Sequence, residues 1–314
     1  MRTAVIIPVF NAAATVAAAT QSALSQEQAG AIEVIVVNDG STDETGEVLK
    51  SFGGRIKTVS QANRGLAAAR NAGADAAGAA DYLAFLDADD LWLPDKLQLI
   101  LAELARNHGA VLAYSDLLTM DSQGQPLSDS LIKRPQAHAP SLAELLRQWW
   151  PILPSSVVVR RDALERCGRF CEEFGGSGHE DVDCWLRLRE LGDFVYLDRA
   201  LVRYRIDPDA AATLKYETNF TLLAQRVRDR YGARGRPLLR AMRRGYVSAF
   251  GYRGLVALRA GDRRGARQAF FRALGYAPLD PQTLLRLGRT FLPAVLARSL
   301  SGNSRVHRLP RSRT

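Results

Sequence analysis

"YLAFLDADDLWLPDKL", residues 82–97, is the stretch on which the reading of this chain turns. Tyr82 to Leu86 form an apolar run suited to a buried strand, and the run breaks directly into Asp87, Asp89 and Asp90, ahead of Trp92 and Pro94. Ending a strand by crowding carboxylates together is costly, because each repels the next and none gains by leaving water. A positive partner is expected there. Standing alone, the turn also suits a solvated cap for a helix that begins near Pro94, since aspartate favours caps and turns.

Outward from this stretch, short apolar runs alternate with amphipathic segments. This is the pattern of an α/β domain with a mostly parallel sheet flanked by helices. Strands are expected at Ala4 to Val9, Glu33 to Val37, Ile56 to Val59, Tyr82 to Leu86 and Ala110 to Tyr114. Helices are expected at Ala12 to Ser25, at Thr42 to Phe52 with Ser41 as its cap, at Leu66 to Ala77, and at Pro94 to Asn107 with proline in its first turn. Asn11, Asn38 to Asp43, Gln61 to Arg64 and Asp87 to Asp90 then gather at the carboxyl ends of the strands, where open α/β sheets bind ligands. The first strand is followed by "PVFNAAAT" rather than GxGxxG, which argues against an ordinary dinucleotide-binding oxidoreductase. Farther on, a turn is expected around Gly124 and a short helix from Ser141 to Trp150. A strand from Ser155 to Arg160 precedes a helix from Glu180 to Leu191, and two short strands, Phe194 to Leu197 and Leu201 to Tyr204, close the domain near residue 210.

The chain has 314 residues, 47% hydrophobic and 24% charged, enough for a sizeable core and an appendage. Cys167, Cys171 and Cys184 are too few for a disulfide framework and point to a reducing compartment. No signal peptide is legible at the start, and no apolar run is long enough to span a membrane. Charge is divided sharply. Residues 1–210 hold 20 Lys and Arg against 29 Asp and Glu, whereas residues 211–314 hold 22 against 4. The latter part reads as a basic helical region over 211–300, in which "LVALRAGDRRGARQAFFRALGYAPLDPQT" is similar to one tetratricopeptide-type hairpin, and a disordered basic tail over 301–314.

Carboxylates at a strand end suit a hard divalent cation, Mn²⁺ or Mg²⁺, that reaches onto substrate phosphates. "VVNDGSTDET", residues 36–45, adds a second acidic turn, and "GHEDVDCWLRL", residues 178–188, puts Glu180, Asp181 and Asp183 at the start of a helix, where acids are also favoured by the helix dipole. With "VIIPVFN" at 5–11 and "QANRGLAAARNAG" at 61–73, these stretches in this order resemble glycosyltransferase family 2, inverting nucleotide-sugar enzymes of the GT-A fold. The resemblance covers residues 3 to 206.

That resemblance implies roles. Asp39 and Arg70 are expected beside the nucleobase, usually uracil, with Pro8 and Phe10 lining the same pocket. Of the DXD-type turn, Asp87 is expected near the ribose and Asp89 on the metal, with Asp90 in support, so that the missing positive charge is a divalent cation carrying a diphosphate. Asp181 is expected as the base that takes the acceptor's proton, with Glu180 raising its pKa by like charge. Trp150 and His179 are acceptor-site candidates, while Trp92 and Trp185 suit packing. The chain departs from the family pattern after Tyr204 and Arg205, where Ile206 replaces a frequent histidine, and it lacks the QxxRW motif of processive synthases. Non-processive transfer from a UDP-sugar to a glycan or lipid-linked acceptor in surface glycan synthesis is therefore expected. The expected place is the cytoplasm, with peripheral contact at the inner face of the membrane through the basic region, and no nucleic-acid partner. The alternatives are a sugar-phosphate nucleotidylyltransferase, although "PVFNAAAT" has no Gly-rich, lysine-containing loop, and a non-catalytic nucleotide-sugar-binding protein.

Overall fold

A computed structural model of the chain describes residues 1–26, 29–128, 140–147, 152–175, 178–206, 215–259 and 261–291. Trp150, the tail at 301–314 and the far end of the expected basic helical region lie outside them. Two compact units are present, Met1–Leu238 and Leu239–Thr314.

The first unit runs β1 (Arg2–Val9), α1 (Val16–Leu24), β2 (Ala31–Asn38), α2 (Thr45–Lys50), β3 (Lys57–Ser60), α3 (Leu66–Ala76), β4 (Tyr82–Phe85), β5 (Leu91–Trp92), α4 (Lys96–Arg106) and β6 (Ala110–Met120). It continues through β7 (Pro126–Ser128), α5 (Leu142–Arg147), β8 (Val157–Arg160), α6 (Arg161–Arg166), α7 (Glu180–Arg189), β9 (Asp193–Arg205) and α8 (Lys215–Tyr231). One sheet, in the order β3-β2-β1-β4-β8-β6-β9-β5 with β7 beside β6, forms the spine. The strands β3, β2, β1 and β4 are mutually parallel, and β8 then runs antiparallel to both β4 and β6.

The apolar runs become strands because they are covered on both faces. All four β4 residues are buried, and β1 is buried from Thr3 to Val9. Leu97, Ile100, Leu101 and Leu104 put one face of α4 into the core, a stripe at helical spacing. Helix α3 approaches β1 through Gly73, where a Cβ would stand 2.3 Å from Cγ2 of Ile6. Any side chain there would push α3, and Arg70 with it, off the sheet.

Several sequence expectations need correction. Helix α4 starts at Lys96 with Asp95 as its N-cap, so Pro94 precedes the helix instead of opening it. The two expected closing strands are one strand, β9, whose register against β6 jumps from Ser115↔Leu197 to Asp116↔Ala200. Asp198 and Arg199 bulge out there, and those two polar residues are what made the run look broken. Strand β6 continues to Met120, beyond the apolar stretch that announced it, because β9 pairs with it along its whole length.

The second unit takes in most of α9 (Gly235–Arg259), with α10 (Arg263–Tyr276) and α11 (Pro281–Arg289). Ala266, Phe270 and Leu287 form its core, with Leu255, Leu258 and Leu274 packed on it. Asp262 and Asp280 cap α10 and α11, accepting from the Gly265 and Thr283 N–H groups at 2.8 Å each. Among the described residues, no helix is long and apolar enough to cross a membrane.

Candidate active site

Because Val9 is paired with Asn38 and Asn38 with Ser60, the loops after β1, β2 and β3 leave the sheet at one rim. Asn11, in the left-handed region at φ 50°, stitches the first two together. Its N–H donates to Ser41 Oγ at 3.0 Å, and its Oδ1 accepts from the Thr42 N–H at 2.8 Å. Ser41 is therefore spent across the rim rather than as a helix cap, and α2 begins later, at Thr45, with Glu44 as its N-cap. Asp39 is only 3% exposed. Its carboxylate accepts from Gln61 Nε2 at 2.7 Å and from the N–H groups of Arg64 and Gly65 at 2.9 and 2.8 Å, which anchors the start of α3. Gly40 lets these loops close up, since a Cβ there would meet the Asn63 nitrogen at 2.8 Å. Pro8 is buried in β1, and Phe10, just past its end, is half exposed at the rim.

Arg70 is the centre of the site. Projecting from α3 and fully buried, it donates from Nη2 to Asp87 Oδ1 at 2.9 Å and from Nη1 to Glu180 Oε1 at 2.7 Å, with its guanidinium 5.4 Å from the centre of the Phe170 ring. Burial alone would discourage its charge, but the carboxylates of Asp87 and Glu180 outweigh burial and hold its pKa above the usual arginine value. A guanidinium thus answers part of the demand for positive charge at the end of β4. Removing one partner from such a buried network costs about 3–5 kcal/mol, because a charge is left stranded.

The three aspartates after β4 have different environments. Asp90 is fully buried, accepting from Ser155 Oγ at 2.5 Å and from the Arg205 N–H at 2.9 Å. Burial, then the charges of Asp89 and Asp87, push its pKa well above the ordinary carboxylate range. It ties the turn to β9 and to the segment before β8, and does not reach the rim. Ser155 also accepts from the Asp87 N–H at 3.0 Å, and Arg205 Nε donates to the Asp89 carbonyl at 2.9 Å. Asp89 is exposed as a residue, yet the protein around its carboxyl and then the charge of Asp87 push it up to about 6. Among the described residues no group of three or more histidines, cysteines, aspartates or glutamates is placed to hold a metal. Asp87 and Asp89 do form a pair that a cation would relieve, and two carboxylates completed by substrate phosphates are a usual Mg²⁺ site.

Helix α7 begins at Glu180, directly after two left-handed residues, Gly178 at φ 85° and His179 at φ 76°. His179 is buried, and burial pushes its pKa down to about 4, so it stays neutral at ordinary pH. Glu180 faces inward to Arg70. Asp181, the next residue, is partly exposed and accepts from the Val182 N–H at 2.7 Å. Burial of its carboxyl and the charge of Glu180, only partly offset by Arg70, push it up to about 7. A carboxylate at that value is able to accept a proton near neutral pH. Trp185 and Trp92 are buried packing residues whose indole N–H groups donate to the Ile152 and Ser155 carbonyls at 2.9 and 2.8 Å.

The structure therefore joins Arg70, Asp87, Glu180 and Asp181 in one cluster and sets Asp89 beside it, while Asp39 holds the neighbouring loop. Ser155 and Arg205 were not foreseen as site supports. The Tyr204–Arg205 pair is a visible signal for one of them, but nothing local marks Ser155. A cleft of about 610 Å³ lined by Met1, Asp81, Tyr82, Arg160 and Glu165 opens at the opposite rim, where β1 and β4 begin, and shares none of these residues.

The family model described as Glycosyl transferase family 2 matches residues 4–167. The amylovoran biosynthesis glycosyltransferase AmsB of Erwinia amylovora is 34% identical over 215 residues, covering 64% of this chain and 69% of that protein. An uncharacterised glycosyltransferase of Nostoc sp., alr2836, is 34% identical over 174 residues, and the chain spans only 53% of its length. Among solved structures, residues 1–349 of S. aureus TarS in complex with UDP-GlcNAc superpose with a TM-score of 0.61 at 16% identity, covering 92% of this chain and 90% of that one.

Proposed function

This chain belongs to glycosyl transferase family 2 and is a glycosyltransferase with the family's α/β fold; on that premise we propose that it moves a sugar, with inversion, from a UDP-linked donor to an acceptor hydroxyl. The observation that carries this reading is the Arg70 network, which ties Glu180, next to Asp181 at the start of α7, to Asp87 at the end of β4; burial and the charge of Glu180 raise the Asp181 carboxyl. The acceptor O–H gives its proton to Asp181 while its oxygen forms a bond to the anomeric carbon. The bond from that carbon to the diphosphate oxygen breaks, and its electron pair leaves with the nucleotide. One displacement from the opposite face inverts the centre, unlike the two-step route of retaining enzymes.

In this reading the base lies at the rim by the half-exposed Phe10, over the buried Pro8 and Asp39, and the buried Arg70 backs the site through Asp87 and Glu180. Asp89, with Asp87 beside it, would hold Mn²⁺ or Mg²⁺, which supplies positive charge to the departing diphosphate. A UDP donor is favoured by the likeness to TarS, solved with UDP-GlcNAc, and a biosynthetic role by the likeness to AmsB, named for amylovoran biosynthesis. The test is a screen of nucleotide sugars for Mn²⁺-dependent binding and turnover. Retention of configuration in the product, or turnover indifferent to Asp181→Asn, overturns the reading.

We also propose that the C-terminal unit makes a peripheral contact with anionic membrane. Residues 239–314 carry sixteen arginines, no lysine and two acids, Asp262 and Asp280, both spent as helix caps. Tyr252, Phe271, Leu285 and Phe291 are exposed among those cations. Apolar side chains beside so large an excess of arginine over acid suit an acidic lipid surface better than nucleic acid. Co-sedimentation of the full chain with phosphatidylglycerol vesicles, and not with phosphatidylcholine vesicles, is the expected outcome.

A further inference from the structure

We propose that α8 is a brace for the proton-accepting residue, and that Arg226 and Asn219 are positioning residues that hold Asp181 in place; the inference rests on the reading of Asp181 as the base. Asp183, two residues beyond Asp181 and 4% exposed, receives two guanidinium groups. Arg187, one turn along α7, donates to its Oδ2 from Nη2 at 2.7 Å and from Nε at 3.0 Å. That pair already neutralises the acid. Arg226 of α8 then donates to Oδ1 from Nε at 2.7 Å and to Oδ2 from Nη2 at 3.3 Å. The second guanidinium is redundant as counter-charge. What it adds is geometry, because a planar fork that engages both oxygens fixes the angle between two helices.

The same face of α8 controls the entry to α7. Asn219 lies seven residues before Arg226, two helical turns along the same stripe as the buried Leu223 and Val227. Its Nδ2 donates to the Gly178 carbonyl at 2.6 Å and to the Phe174 carbonyl at 3.3 Å. Gly178 is itself the first of the left-handed Gly178–His179 pair. A non-glycine residue held at positive φ is strained and persists only where its surroundings impose it. Asp181 is thus flanked by two fixed neighbours, Glu180 pinned to the sheet side by Arg70 and Asp183 pinned to α8. Among the described residues, its own carboxyl accepts from the Val182 N–H.

The test uses the full chain with Arg226→Gln, Arg226→Lys and Asn219→Ala. Amide hydrogen exchange over residues 178–184 is expected to rise by about tenfold or more in Arg226→Gln and Asn219→Ala, with the β1 and β4 amides unchanged. With whichever nucleotide sugar supports wild-type turnover, kcat is expected to fall by about tenfold to a hundredfold, the loss that a small misplacement of a reacting group produces. Donor KM should stay within about twofold, and Arg226→Lys, which keeps the charge but loses the planar fork, should recover little of the rate. Wild-type exchange over 178–184, faster exchange throughout the sheet, or a fall in kcat matched by a loss of Mn²⁺-dependent UDP binding would each overturn the brace. Asp181→Asn separates the two ideas: normal turnover in that variant defeats the base assignment, whereas the exchange result judges the brace by itself.

Discussion

The turn after β4 and the start of α7 each put three carboxyl side chains within four residues: Asp87, Asp89 and Asp90 in one, Glu180, Asp181 and Asp183 in the other. In each set one acid is withdrawn into the protein as a strut. Asp90 is held by a serine hydroxyl and a backbone N–H, with no guanidinium on its carboxylate, and its pKa is pushed far up. Asp183 is equally buried but meets two arginines. A second acid in each set, Asp87 or Glu180, is paired with Arg70, and the remaining one, Asp89 or Asp181, keeps a raised pKa and has no direct ion pair among the described residues. In the proposed reading the chemistry falls to the least compensated carboxyl of each set, and the others build the place where it stands.

The sharpest way to break this comparison is to change the uncompensated acid of α7. Asp181→Asn is expected to cut transfer by about a hundredfold to ten-thousandfold while leaving Mn²⁺-dependent UDP binding intact, read by single-turnover kinetics and calorimetry. Next in size is the shared cation. Arg70→Ala strands Glu180 in the interior and should lower the unfolding free energy by about 3–5 kcal/mol, measured by urea denaturation. A loss below about 1 kcal/mol would mean that the two motifs are not coupled through Arg70.

A smaller effect distinguishes the members of the β4 turn. Asp90→Ala leaves the Ser155 hydroxyl and the Arg205 N–H without their acceptor and should cost about 1–3 kcal/mol of stability. Asp89→Ala, at the exposed position, should not lower stability and should remove the Mn²⁺ dependence of UDP binding. The reverse pattern would exchange the two roles.

The gentlest probe is pH. Asp181 accepts a proton only when ionised, so kcat/KM should fall about tenfold per unit as pH drops below its value of about 7, and level off above it. Stability should move the other way. Asp89 and Asp181 have folded-state values of about 6 and 7, above their ordinary 3.8, so between those limits the folded chain binds more protons than the unfolded one. These two carboxyls therefore subtract stability as pH rises through that window. Thermal unfolding of Asp181→Asn should show a flatter pH dependence there than wild type.

Much of the fold is legible residue by residue. The buried strands β1, β2 and β4 announce themselves as apolar runs, and α4 by its stripe of leucines and isoleucine, because burial on one face or two leaves a periodic trace. Polar residues at the strand ends mark the rim for the same reason: a buried run that stops at Asp39 or Asp87 must be leaving the core. The errors lie where a local signal was answered by a distant partner. Ser41 looks like a helix cap but bonds to Asn11, and β9 looks like two strands because its bulge is polar.

By itself, then, the sequence determined the order of elements, the α/β class and which side chains arrive at the rim, since these follow from periodicity and from the direction of parallel strands. The tertiary structure alone decided how the acids are sorted. Arg70 meets Glu180 across 110 positions of chain and Asp90 meets Arg205 across 115, distances over which local pattern carries no information. Whether a carboxyl is a strut, an ion-pair partner or a free base depends on the water and the charges around it, and those are set only when the sheet has brought separate segments together.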